Sequence, residues 1–337
     1  MNNRDYIAFA AFVAIVMGLP LFMTNEYYFG VLIFAALNCM ACIGLSLLMG
    51  YAGQISIGHG AFVAVGAYAV GILTTRLAWS PWLGMGAGVI AAILIALVIG
   101  VPSLRLKGHY LAMATLGFAS IIHIVAVAAV EITGGPAGIL DIPGLKLFGM
   151  ALDSDLRYYY FTWTVFCIGL FFAINLVKSR VGRGLMAIRG SEDGAMSAGI
   201  NISRYKIQIF ILSAVYAAVS GSLYACYVNY IDPGPFNIMY SVLLVTMVAV
   251  GGLHSLWGAV FGGILLSLLP ELLSMASEIF SGIGFVYKPD YDMFVYGGIL
   301  LFIMLFLPEG LAGGLSDIGS LGLKLLKGMS RRAGTHE

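Results

Sequence analysis

The sequence has 337 residues, 61% apolar and 10% charged, with a formal net charge of +1 and a mean hydropathy of +0.98. Soluble domains carry about 25% charged residues, and a water-facing surface built from this composition would show apolar patches large enough to associate. A soluble enzyme, a disordered chain and a disulfide scaffold on four Cys are excluded, and the net charge gives no reason to expect nucleic acid; a chain that crosses a bilayer many times fits.

About 20 apolar residues span the hydrocarbon layer. Apolar runs between charged or Gly/Pro breaks predict ten helices, over 6–23, 28–49, 59–75, 82–101, 109–131, 158–177, 207–229, 238–252, 257–275 and 291–307. The expected fold is therefore all-α and polytopic, a single transmembrane domain over 1–311 with a cytoplasmic tail at 312–337. The first run follows Arg4 but is long for a signal peptide and lacks a small-residue cleavage pattern, so it is read as a retained span.

In the second helix, Cys39 and Cys42 form a C-x-x-C one turn apart with no metal partners nearby, which reads as small packing residues. Asn38, Asn175 and Asn229 read as bonds between neighbouring helices. Between the second and third helices, Gly50-Tyr-Ala-Gly-Gln-Ile-Ser-Ile-Gly-His59 combines three glycines with Gln54, Ser56 and His59. It is either a tight cytoplasmic turn or an unwound stretch facing a cavity at membrane depth. In the second case the helix that starts there would aim its free N–H groups at a solute, as the broken helices of transporters do. His123 in the fifth helix reads as a hydrogen-bonded core residue.

The loop 178–206 holds six basic residues against Glu192 and Asp193. The positive-inside rule places it in the cytoplasm. Counting helices outward puts both termini inside, with 13 of the 17 basic residues; Arg76, Lys146, Arg157 and Lys288 fall outside. Within the loop, Ser191 to Gly199 predicts a short helix with Ser191 as N-cap, acids in the first turn and Gly199 at the exit. A helix of this length does not persist alone in water, so it should rest on lipid headgroups or on a partner. Gly251-Gly-Leu-His-Ser-Leu-Trp-Gly258 is similar in character to the first glycine-rich stretch and hints at two related halves. Glu271, after Pro270, is an intramembrane carboxylate near the outer face. Leu321, Lys324, Leu325 and Lys327 could make the tail a surface-lying turn. No lysine follows a glycine, so no ATP-binding P-loop is present, and no catalytic or metal constellation is legible.

Together with the 50–59 stretch, the segments Arg105 to Phe118, Glu131-Ile-Thr-Gly-Gly-Pro-Ala-Gly-Ile139, Gly182-Arg-Gly-Leu-Met-Ala-Ile-Arg189 and Leu307-Pro-Glu-Gly-Leu311 carry a resemblance. The chain resembles the LivM-type permease subunits of bacterial branched-chain amino acid ABC importers. The resemblance implies a multi-pass protein of the bacterial inner membrane, with a LivH-like second permease, two cytoplasmic ABC ATPase subunits and a periplasmic substrate-binding protein. It implies no cofactor on this chain, ATP being bound by the partners. Arg183, Arg189, Glu192, Ala195 and Gly199 then belong to the loop that couples to the ATPase. Gln54, Ser56, His59, Thr115, Thr133, Gly134, Gly135 and Glu271 are the expected substrate path. His109, Ser120 and His123 depart from the residues common in the family, and urea or short-amide permeases are an alternative within it. A self-contained ion-coupled transporter would need more mid-membrane carboxylates than Glu271, and a membrane enzyme built on His59 and His109 lacks a nucleophile or paired acids.

Overall fold

A computed structural model describes residues 3–23, 25–103, 109–147, 149–280 and 291–306. The tail 312–337, the Leu307 to Leu311 motif and residues 104–108 of the Arg105 motif lie outside the described residues. Each of the ten apolar segments is largely helical where described: α1 Asn3–Gly18, α2 Tyr27–Ser46, α3 His59–Arg76, α4 Pro81–Ser103, α5 His109–Ala128, then short α6 Val130–Thr133 and α7 Asp155–Lys178. Helices α8 Arg180–Gly190 and α9 Glu192–Ser197 follow, then α10 Ile202–Val228, α11 Ile238–Gly251, α12 Leu256–Phe280 and α13 Tyr291–Phe306. The strands described are a small hairpin, β1 Lys146–Leu147 with β2 Met150–Ala151. Among the described residues six helices are long and apolar enough to cross a membrane; Tyr6–Phe22 and Ile238–Gly251 are shorter apolar helices.

Several boundaries shift by a few residues, with α10 starting at Ile202 and α12 running to Phe280, and two differences alter the element list. The fifth helix stops at Ala128, and Val130–Thr133 forms a separate turn ended by Gly134 in the left-handed region. The loop 178–206 contains an extra helix, α8, whose N-cap Ser179 accepts from the amides of Val181 and Gly182. Its buried Leu185 and Ile188 lie one turn apart on one face. The charges around them hide that amphipathic signal in a hydropathy scan for membrane spans.

Helices α2 and α10 form the centre, 78% and 72% buried over their most apolar windows, whereas α4 and α5 are 28% and 33% buried. Apolar side chains give no hydrophobic drive for helix association inside lipid, so close packing of small residues and interhelical hydrogen bonds hold such a bundle together. The α3–α10 crossing shows this: a Cβ on Gly66 would strike the Ala218 carbonyl, and one on Gly221 the Val63 carbonyl. Ser222 Oγ donates to the Gly66 carbonyl at 3.2 Å across the same crossing. The outward face is apolar, as on α4, where Ile90, Leu94 and Val98 are exposed.

Hydrogen bonds sort the helix ends into two faces. On the basic face, Arg189 of α8 reaches Gly50 after α2 and His254 before α12, and Tyr6 of α1 donates to Asn175 of α7. On the opposite face, Ile139 pairs with Ile231 after α10, Tyr159 of α7 donates to the Val16 carbonyl, and Trp82 of α4 to the Lys146 carbonyl. Asn38 bonds Ser267 of α12 and accepts from Tyr240 of α11, and Asn229 donates to the Ile142 carbonyl, so these amides tie elements together. Cys39 and Cys42 are buried and free, with their thiols on the Val260 and Leu244 carbonyls.

Candidate functional site

The glycine-rich stretch after α2 runs back into the bundle. At one end, Gly50 touches the backbone of Leu253, just past α11. At the other, the Gly60 amide donates to Ser241 Oγ at 3.0 Å, ten residues before the end of α11. At 1.5 Å per residue the chain therefore climbs about 15 Å along α11 between Gly50 and Gly60. The last turn of α2 widens to a π-helix over Leu47–Tyr51, and residues 52–58 are non-helical. Unwound backbone at this depth survives only where protein satisfies it. Here the Gln54 amide donates to the Leu48 carbonyl at 3.1 Å, the Ile57 amide to Thr115 Oγ1 at 3.0 Å and the Gly58 amide to Ser56 Oγ at 3.4 Å.

His59 opens α3 and is 1% exposed. Its Nδ1 lies 3.3 Å from Ser56 Oγ and its Nε2 meets the Ser213 hydroxyl of α10. The structure therefore brings Ser56, His59 and Thr115 together around the start of α3, with Gln54 at its approach. In this conformation the Gly58 and Gly60 amides are taken by Ser56 and Ser241 and do not face open space. Gln54 Oε1 is buried without a hydrogen-bond partner among the described residues.

The other expected path residues lie elsewhere. Thr133 Oγ1 donates to the carbonyls of Ala126 and Ala129 at 2.8 Å and accepts from the Gly135 amide at 3.2 Å. Ala126 is eleven residues, or about 17 Å of helix, from Thr115. Gly134 and Gly135 both have positive φ, so this turn requires glycine. Glu271 accepts from Tyr27 Oη at 2.8 Å, at the start of α2 and so at the opposite face from Gly50.

Between these levels lies a cavity of about 210 Å³, lined by Phe34, Leu37, Asn38, Val63, Ser220, Tyr224, Phe236 and Tyr240 among others. Asn38 is the twelfth of the 25 residues of the Tyr27–Tyr51 span, near its midpoint. Val63 and the Tyr240 ring, which packs against Gly60, place the cavity on the first turn of α3. The lining is aromatic and aliphatic with neutral polar groups and no charge, a composition typical of small-molecule sites. Sequence reasoning read Asn38 only as a bond between neighbouring helices and passed over Ser213, Ser220, Ser241 and Tyr240. Hydroxyls spaced along apolar helices were the available signal, but they do not reveal which of them meet.

On the basic face, α9 is a capped six-residue helix. Ser191 Oγ accepts from the Gly194 amide at 3.1 Å, and the Ile200 amide closes the far end on the Ala195 carbonyl at 3.0 Å, with Gly199 at φ +79°. Ala195 is buried, whereas Met196 is 60% exposed. Glu192 is paired with Lys206 of α10 at 2.7 Å. An open cavity of about 380 Å³ lies beside it, lined by Glu192, Met196, Ile200, Asn201, Ile202, Ser203 and Lys206. Arg183 Nη1 caps the Lys178 carbonyl at 3.1 Å. Arg189 Nη1 donates to the Gly50 carbonyl at 2.8 Å, and its Nη2 lies 2.6 Å from His254 Nε2. Half-buried His123 of α5 has no partner at Nδ1 among the described residues, contrary to the hydrogen-bonded role expected for it. Among the described residues no cluster of His, Cys, Asp and Glu could hold a metal ion.

Residues 27–304 match a family described as the permease component of the branched-chain amino acid transport system. The chain is 29% identical over 292 residues to the high-affinity branched-chain amino acid transport permease protein LivM of Escherichia coli K12, covering 80% of this chain and 66% of that one. It thus spans just under two thirds of that relative's length. It is 26% identical over 321 residues to a probable LivM permease of Methanocaldococcus jannaschii, covering 83% and 92% of the two chains. The similarity extends to the LivH permease of Escherichia coli K12, at 25% identity over 81% of this chain and 90% of that one. No solved structure matches the chain.

Proposed function

This chain belongs to the family of permease components of branched-chain amino acid transport systems, and from that premise we propose that it forms one half of an import path for leucine, isoleucine or valine. It is a transport subunit, not an enzyme. The path is completed by a LivH-like permease, fed by a periplasmic binding protein and driven by two ATPase subunits that dock on the basic face. That face is cytoplasmic by the positive-inside rule, which puts both termini of a ten-span chain in the cytoplasm of a bacterial inner membrane.

The observation that carries this reading is α9: a helix capped at both ends, held by the Glu192–Lys206 ion pair, projecting exposed Met196 beside an open cavity. A six-residue helix gains little from its own hydrogen bonds, and an exposed thioether beside a basic loop suits a groove in a soluble partner. Solute follows the cavity at Asn38 and Tyr240, then the unwound 52–58 stretch, where Gln54, Ser56, His59 and Thr115 flank it. Thr133, Gly134, Gly135 and Glu271 stand at the outer mouth. ATP shifts the access equilibrium only by its differential interaction with the two states.

Met196→Lys tests the reading in the reconstituted complex. ATPase subunits should dissociate and leucine uptake should stop, while membrane insertion is unchanged. ATP-driven uptake at the wild-type rate would overturn the proposed docking.

A further inference from the structure

We propose that Arg189 is a positioning residue: a strut that carries movement of the α8–α9 unit to the unwound stretch after α2 and to the loop before α12. The inference rests on the coupling role proposed for α9 and specifies where the coupling enters the path. Arg189 sits in the last turn of α8, two residues before the Ser191 cap of α9, so it is tied to α9 by a short stretch of chain. Its guanidinium reaches two other parts of the chain at once. Nη1 donates to the Gly50 carbonyl at 2.8 Å, within the π-turn that ends α2. Nη2 is 2.6 Å from His254 Nε2, and because guanidinium has no acceptor, the imidazole receives this bond on its lone pair.

The aliphatic stem contributes a third contact, with Arg189 Cγ 3.1 Å from where a Cβ on Gly53 would stand. Gly50 itself lies against the Leu253 backbone, so closely that a Cβ there would strike the Leu253 carbonyl. The two glycine-rich stretches therefore meet under one side chain that belongs to neither. A π-turn leaves carbonyls off the regular ladder, and the Gly50 carbonyl takes its partner from the coupling loop. Gln54, four residues further on, begins the climb toward His59. A displacement of α9 is delivered through Arg189 to both segments together. A lysine cannot replace it, since one ammonium does not present two donors in a fixed fork.

The test uses the complete transporter in proteoliposomes, with Gln54→Cys as a reporter. The native cysteines of the chain, Cys39, Cys42, Cys167 and Cys226, are buried, which keeps background labelling low. A membrane-impermeant thiol reagent is applied with and without ATP. With Arg189 present, ATP should change the labelling rate roughly tenfold, the scale of an ordinary coupling free energy. Arg189→Ala and Arg189→Lys should abolish that ATP dependence while ATP hydrolysis stays within about twofold of the parent, and His254→Gln, which keeps an acceptor, should retain it. Unchanged ATP-dependent labelling in Arg189→Ala, or loss of hydrolysis and labelling change together in Arg189→Lys, would overturn the strut. Leucine uptake by the complex with Gln54 intact is measured in parallel. Its absence would refute the transport reading and leave the labelling result to decide the strut by itself.

Discussion

Lys206 Nζ and Glu192 Oε1 lie 2.7 Å apart, an ion pair that joins the first turn of α9 to the first turns of α10, with the lysine side chain 9% exposed and the glutamate 33% exposed. It offsets the weakness of a helix of six residues by tying its first turn to α10. Lys206→Met should loosen α9 by about 1 kcal/mol, the lower end for a charge-assisted bond because Glu192 is partly in water. Trypsin should then cleave at Arg204 roughly fivefold faster, and Glu192→Gln, which keeps a carbonyl acceptor, should fall between the two.

Ser213 is expected to matter through His59. Ser213→Ala removes the hydroxyl that meets Nε2 and leaves a ring nitrogen buried without a partner. The loss should be about 1–3 kcal/mol, read as a lower thermal midpoint of the purified complex. Ser213→Thr keeps the hydroxyl and should lose less.

The α3–α10 crossing is expected to be intolerant of volume. Gly221→Ala places a methyl against the Val63 carbonyl and Gly66→Ala one against that of Ala218. Either should cost about 1–3 kcal/mol by forcing the helices apart, seen as reduced recovery of folded chain. Gly86→Ala, on the exposed side of α4 with nothing within 4 Å, should be neutral or slightly stabilising.

The mid-membrane cavity separates a transport role from a packing defect. Val63→Phe fills space between Asn38 and Phe236. A void without function would accept the ring with little effect on uptake. If the cavity is part of the path, leucine uptake should fall roughly tenfold or more while complex assembly and melting temperature hold. Unchanged uptake would remove this cavity from the path.

Much of the architecture was readable from residue order alone. Apolar run length marked the long apolar helices described between Asn3 and Phe306, because lipid demands a continuous apolar stretch whatever its neighbours are. Ser191, the acids after it and Gly199 marked α9, because caps are local chemistry. The helix α8 was missed because its Leu185 and Ile188 are too few to register beside Arg180, Arg183 and Arg189. The expected path residues were chosen by type, and the folded chain sorts them by depth: Ser56, His59 and Thr115 share one level, whereas Thr133 and Glu271 belong to another.

Composition and order alone settled that the chain crosses lipid many times, roughly where its long apolar helices lie, and that it has no P-loop lysine, since each rests on short-range rules. Three-dimensional packing settled the rest. That the 50–59 stretch re-enters the bundle instead of turning at the surface depends on Ser213 and Ser241, more than 150 residues away, supplying hydroxyls at the right height. That Arg189 joins two distant glycine-rich segments depends on which helix ends share a face. Long-range pairings of this kind leave no periodicity to read, because a hydroxyl or a guanidinium looks the same in sequence whether its partner is water or a carbonyl far along the chain.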